Sequence, residues 1–107
     1  MENTDQKIQE MQLLEQSFQN LILQKQAFQI ELSETQSALK EIQTSGDEIF
    51  KIIGQLMIKT DKSKIKEELL NKEKILDLRV KTIEKQEISL TEKLDVLREK
   101  VMKSIKD

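Results

Sequence analysis

Residues 49 to 60 read Ile49-Phe50-Lys51-Ile52-Ile53-Gly54-Gln55-Leu56-Met57-Ile58-Lys59-Thr60, and the architecture follows from them. Two runs rich in β-branched and apolar residues flank Gly54-Gln55. That pair suits a two-residue type II′ turn, because Gly at the first central position accepts positive φ. In such a turn Ile53 opposes Leu56 and Ile52 opposes Met57. Side chains alternate across a strand, so Phe50, Ile52 and Met57 fall on one face and Ile49, Ile53, Leu56 and Ile58 on the other. Both faces are apolar. An isolated two-stranded hairpin is marginal in water and keeps two unpaired edges, so these seven residues are expected to carry oligomerisation by pairing with hairpins of other chains. Folding the strands down onto the neighbouring helices would cover one face and still leave both edges bare.

On either side of this β run the pattern is helical. Met11, Leu14, Phe18, Leu21, Lys25, Phe28, Leu32, Thr35, Leu39 and Ile42 follow one another in alternating steps of three and four, the a/d stripe of a coiled-coil seam. Only Lys25 and Thr35 interrupt it. The second arm has an apolar column at Leu69, Leu76, Ile83, Leu90 and Leu97, with a patchier one at Glu73, Val80, Glu87, Leu94 and Val101. The expected fold is therefore mainly α: a long antiparallel two-helix coiled coil, helices at 4–45 and 62–106, with one β-hairpin at 49–60 where the chain turns back. All 107 residues form a single domain on this reading.

Composition agrees. With 36% hydrophobic, 36% charged and 3% aromatic residues, two Gly and no Pro, the chain is too helix-biased and too poor in large side chains for one compact core. No stretch is apolar enough to span a bilayer, and Met1-Glu2-Asn3-Thr4-Asp5 lacks the basic start and apolar run of a signal peptide. A cytoplasmic protein without membrane association is expected. The absence of Cys excludes disulfides and thiolate zinc sites.

Charge is uneven along the chain. Residues 1 to 50 carry three Lys against nine acids, and residues 51 to 107 carry fifteen Lys and Arg against eleven acids. Parallel self-pairing would set acidic arm beside acidic arm, whereas folding back sets it against the basic one. A register in which paired a and d residue numbers sum to about 108 centres the turn near Gly54. It opposes Glu10 to Lys100, Gln24 to Gln86 and Glu31 to Arg79, and places Lys25 beside Ile83 with Glu87 one layer away. Exposed pairs of this kind contribute only about 0.3 to 0.5 kcal/mol each, so they select register more than they stabilise.

Local signals mark the helix ends. Asn3 with Gln6 is a capping box for the first helix, and Ser45-Gly46-Asp47 stops it, with Gly46 suited to a left-handed C′ position. The second helix is expected to start at Asp61 or Ser63.

If the helices pair along their lengths, both termini lie together about 60 Å from the hairpin, at ~1.5 Å per residue over some forty residues. Ile8, Leu13, Met102 and Ile105 are apolar and off the seam there, beside Met11, Leu14 and Val101. Those seven residues are expected to form an interaction surface, since one two-helix contact cannot bury them all and flexible Met suits promiscuous binding. Ile22, Leu23, Ile30, Ile88 and Val96 read mostly as ordinary surface aliphatics, with lining of an inner cavity face the alternative for Ile22 and Leu23.

Catalysis is not expected. The chain has no His, Cys, Tyr or Trp, so the usual general base, thiolate nucleophile and nitrogen metal ligand are missing. Gly46 and Gly54 are isolated, which excludes a phosphate-cradling loop and leaves no cofactor site. The Lys-rich stretch from Lys59 to Lys66 runs into Glu67-Glu68 and lacks aromatic interleaving, so nucleic-acid binding is not expected either.

The order of elements resembles a prefoldin subunit of the beta type, archaeal-like. The resemblance is carried by Gln24-Lys25-Gln26, Glu34-Thr35-Gln36-Ser37-Ala38-Leu39, Phe50-Lys51-Ile52-Ile53-Gly54, and Leu78-Arg79-Val80-Lys81-Thr82-Ile83-Glu84-Lys85-Gln86-Glu87. Alpha-type subunits carry two β-hairpins, and the interval here has room for one. The resemblance implies an ATP-independent molecular chaperone without cofactors. Two alpha-type and four beta-type subunits would join hairpins into an oligomeric β-barrel body, a hetero-hexamer, whose coiled-coil tips capture unfolded proteins and pass them to a group II chaperonin. Under that reading Ile8, Met11, Leu13, Leu14, Val101, Met102 and Ile105 are client-binding residues. The alternative from another class is a structural or tethering coiled-coil protein without chaperone activity, whose β element is only a bend.

Overall fold

Straight-chain residues dominate both arms and Pro is absent, so nothing in either breaks a helix. The computed structural model describes residues 2–106, with the side chains of residues 2 and 3 outside the described part. Helix α1 is Glu2–Thr44, strand β1 Ile49–Ile53, strand β2 Leu56–Thr60 and helix α2 Lys62–Lys106. Helix α1 begins two residues ahead of the expected start at 4. The Asn3 side chain, and with it the expected capping box, lies outside the described residues.

Residues 28–79 form one compact unit. At its centre β1 and β2 pair antiparallel in the expected register, Ile53 with Leu56 and Ile52 with Met57, continuing to Ile49 with Thr60. Gly54 turns the chain with φ +60°. Among the described residues no non-glycine has positive φ, so Gln55 does not, which fits type II′ and excludes type I′.

Helix α1 ends differently from expectation. Gly46 does not adopt the left-handed conformation. Two of the last carbonyls find partners locally: the Ser45 N–H and hydroxyl both donate to the Ile42 carbonyl at 3.3 and 2.9 Å, and the Thr44 hydroxyl donates to the Glu41 carbonyl at 3.2 Å. The Lys62 ammonium adds a donor to the Ser45 carbonyl at 2.9 Å, so side chains take the place of a glycine cap. At the start of α2, Asp61 is the N-cap: its carboxylate accepts from the Ser63 N–H at 3.3 Å and its carbonyl accepts from the Ile65 N–H at 3.0 Å.

Within this unit the seam follows the stripe read from sequence. Thr35, Ile42 and Leu76 are buried, and Phe28, Leu32, Leu39, Leu69 and Glu73 are half-buried. Thr35 meets burial by donating its hydroxyl to the Glu31 carbonyl of its own helix at 2.8 Å. Lys72 pairs with Glu31 at 3.1 Å, and the Arg79 guanidinium lies 5.5 Å from the centre of the Phe28 ring. The expected Glu31–Arg79 pair is thus replaced. Glu31 takes the cation one heptad nearer the hairpin, and Arg79 stacks on the aromatic seam residue.

Residues 1–27 with 80–107 form the second unit. Here Val80, Ile83, Leu94 and Val101 are buried, while Met11, Leu14, Phe18, Leu21, Leu90 and Leu97 are half-buried. Contacts run antiparallel: Glu15 meets Arg98 at 3.5 Å and Lys25 meets Glu87 at 2.9 Å. Among the described residues, no helix is long and apolar enough to cross a membrane.

Candidate functional site

The hairpin presents its apolar side chains to solvent. Alternation in the observed register places Phe50, Ile52 and Met57 with Lys59 on one face, and Ile49, Ile53, Leu56 and Ile58 with Lys51 and Thr60 on the other. Ile49 is half-buried; Phe50, Ile52, Ile53, Leu56, Met57 and Ile58 are 45 to 70% exposed, three on each face. The strands therefore do not lie down on the helices, and the sheet consists of two strands. Burying six side chains that are already about half covered is worth roughly 5 to 9 kcal/mol per chain. Association alone costs on the order of 4 to 15 kcal/mol, so face burial needs strand pairing along the open edges to make a firm interface.

Polar contacts frame the hairpin. Lys51 reaches Glu68 of α2 at 3.3 Å and Lys59 reaches Glu48 at 3.7 Å, both in solvent. Sequence reasoning did not find these pairs, since charge order along the chain does not reveal which rotamer bridges strand to helix.

The seven residues expected to form a binding surface separate into two groups. Leu13, Met102 and Ile105 are 54 to 66% exposed and Ile8 is 37% exposed. Met11 and Leu14 are half-buried in the seam and Val101 is buried there. Four of the seven are thus open to solvent, and the other three are taken up by the seam. Val96, read from sequence as ordinary surface, is half-exposed and lines an open groove of about 540 Å³ with Glu10, Leu14, Ser89, Lys93, Leu97 and Lys100. The signal for it was its place beside the seam residue Leu97. Glu10 and Lys100 share this groove, and Gln24 and Gln86 share the next, as the register required.

A polar layer crosses the same unit. The Lys25 ammonium sits 2.9 Å from Glu87 Oε1 and donates to Oε2 at 3.2 Å, with the two side chains 23% and 18% exposed. Oε1 is fully shielded and has no directed hydrogen bond, so it is held by the ammonium's charge alone. Such a layer fixes register at some loss of stability.

Two long helices joined by a two-stranded β-ribbon that is apolar and exposed on both faces define a coiled-coil hairpin protein. The family model described as "Prefoldin subunit" matches residues 5–107, and the chain belongs to the prefoldin family, a family of molecular chaperones. Its relatives there are beta-type. Prefoldin subunit beta of Thermococcus onnurineus is 42% identical over 94 residues, covering 86% of this chain and 81% of that protein. Prefoldin subunit beta of Methanothrix thermoacetophila is 33% identical over 98 residues, covering 90% and 82%. The crystal structure of the prefoldin beta subunit from Thermococcus strain KS-1 superimposes with a TM-score of 0.88 at 32% identity, covering 98% of this chain and 94% of that one.

Proposed function

We propose that this chain is a beta-type subunit of an ATP-independent chaperone. Its hairpins, with those of an alpha-type subunit, build a β-barrel body as a hetero-hexamer of two alpha and four beta chains. Its coiled-coil ends capture non-native polypeptides in the cytoplasm and pass them to a group II chaperonin. The observation that carries the reading is the hairpin, exposed and apolar on both faces with two open edges, which a lone chain would leave as a sticky sheet. The exposure of Ile8, Leu13, Met102 and Ile105 supports capture at the coiled-coil ends. Each end holds a client weakly, at ~25 cal/mol per Å² of apolar area, and several ends around one client add avidity. No nucleotide enters such a cycle.

The test is protection of a chemically unfolded protein from aggregation. Full-length assemblies are compared with ones trimmed to residues 15–97, at equal concentration and with solution mass confirming that both remain assembled. The trimmed form is expected to lose most of its protection. Equal protection would move capture to the flanks near Ile22, Leu23 and Ile88.

A further inference from the structure

The four last carbonyls of a helix need partners from outside it, and the helix dipole makes a cation the favoured one there. Helix α1 has no basic residue in its last turn. The cation comes from the far side of the hairpin. Lys62, the first residue of α2, donates from Nζ to the Ser45 carbonyl at 2.9 Å in a partly buried position. Ser45 is itself tied back to the Ile42 carbonyl by its hydroxyl and its N–H. One ammonium therefore joins the residue at which the chain leaves α1 to the residue at which it enters α2, across the base of the ribbon.

The ribbon's other polar ties to its surroundings are weaker. Its six large apolar side chains are 45 to 70% exposed, and the pairs Lys51–Glu68 and Lys59–Glu48 that flank it lie in solvent. Exposed pairs of long side chains are weak and are screened by salt, whereas a partly buried ammonium on a carbonyl is screened far less.

We infer that Lys62 is a clasp: a positioning residue that caps α1 in trans and sets the angle at which the hairpin leaves the helix pair. The clasp acts within one chain, so every variant is read in an Ile53→Lys, Leu56→Lys background, where partner hairpins do not hold the ribbon and wild type refers to Lys62.

The chain has no Cys, so labels go only where they are placed. Spin labels at Ser37→Cys and Gln55→Cys, both exposed positions of the 28–79 unit, report the hairpin-to-helix distance by pulsed dipolar spectroscopy. Labelled protein is diluted with unlabelled chain so that one chain is read at a time. The wild type is expected to give one narrow distribution at low salt and at 1 M salt alike. Lys62→Met should broaden it at least twofold with helix content by circular dichroism preserved, and Lys62→Arg should restore it. Lys62→Gln, which keeps a donor without the charge, is read alongside in case the Met variant loses helix, and is expected to fall between the two. A distribution as narrow as wild type in the neutral variants overturns the clasp. So does broadening of the wild type by salt to the width seen without Lys62, because the exposed pairs would then be what hold the ribbon.

Discussion

Reversing the charge at Lys25 tests the register at its most constrained layer. Lys25→Glu puts a second carboxylate against Glu87, where the ammonium now lies 2.9 Å from Oε1. Breaking a buried ion pair by altering one partner costs about 3 to 5 kcal/mol, and exposed pairs contribute about 0 to 1 kcal/mol. With side chains 23% and 18% exposed, this pair sits nearer the buried end but keeps some solvent screening. The expected loss is therefore about 2 to 3 kcal/mol, a fall in Tm of roughly 10 °C or more for a chain of this size. Exchanging the charges, Lys25→Glu with Glu87→Lys, should recover at least half. Replacing both by Leu should leave stability unchanged or higher while loosening the register, since apolar layers slide more readily than a paired one. Urea and thermal melts followed by circular dichroism give the cycle. A coupling energy below about 0.5 kcal/mol would refute the pairing, because contacting residues in one network exceed that value.

Other perturbations probe separate parts of the account. Gly54→Ala forces a Cβ into φ +60° with open space around it, so the loss of about 1 to 2 kcal/mol comes from backbone strain alone and should appear as faster amide exchange across β1 and β2. Thr35→Val removes a buried hydroxyl that serves only its own helix, and melts should show a change between zero and about 1 kcal/mol of stabilisation. Leu13→Ser with Ile105→Ser exchanges two exposed side chains outside the seam. Melting should be nearly unchanged, within about 0.5 kcal/mol, while protection of an aggregating client falls.

The fold was legible because its period is simple. Every residue of the a/d stripe from Met11 to Ile42 is buried or half-buried, with Thr4, Lys7, Ile22, Glu31 and Ala38 half-buried beside it, and the strand register follows from Gly54 needing positive φ beside β-branched flanks. The fold-back register set Lys25 beside Ile83 with Glu87 one layer away, and the long lysine side chain spans that layer to reach Glu87 at 2.9 Å. Less was legible where long side chains choose among neighbours. Glu31 has two α2 cations one heptad apart within its range and pairs with Lys72 where Arg79 was expected, while Arg79 lies over the Phe28 ring. Gly46 looked like a left-handed cap because glycine usually supplies one, yet Ser45, Thr44 and a lysine 17 residues away satisfy that helix end. The Lys62 contact could not be read from composition, because it depends on how closely the two helix ends approach at the base of the ribbon. Among the candidate binding residues, sequence marked the apolar set but not its division into exposed and seam-facing members. Val101 on the seam and Met102 beside it differ by one step of 100° around the helix.

The central claim is that the exposed hairpin exists to assemble with partner hairpins. Mass in solution, by native mass spectrometry or sedimentation, is measured for the wild type and for Ile53→Lys with Leu56→Lys, each alone and mixed with a two-hairpin alpha-type chain. The account predicts that wild type plus alpha gives a defined hexamer of two alpha and four beta chains, and that the double variant keeps its helix content but stays small in both conditions. A wild-type mass unaffected by the alpha-type chain, together with an equal mass for the double variant, would contradict it.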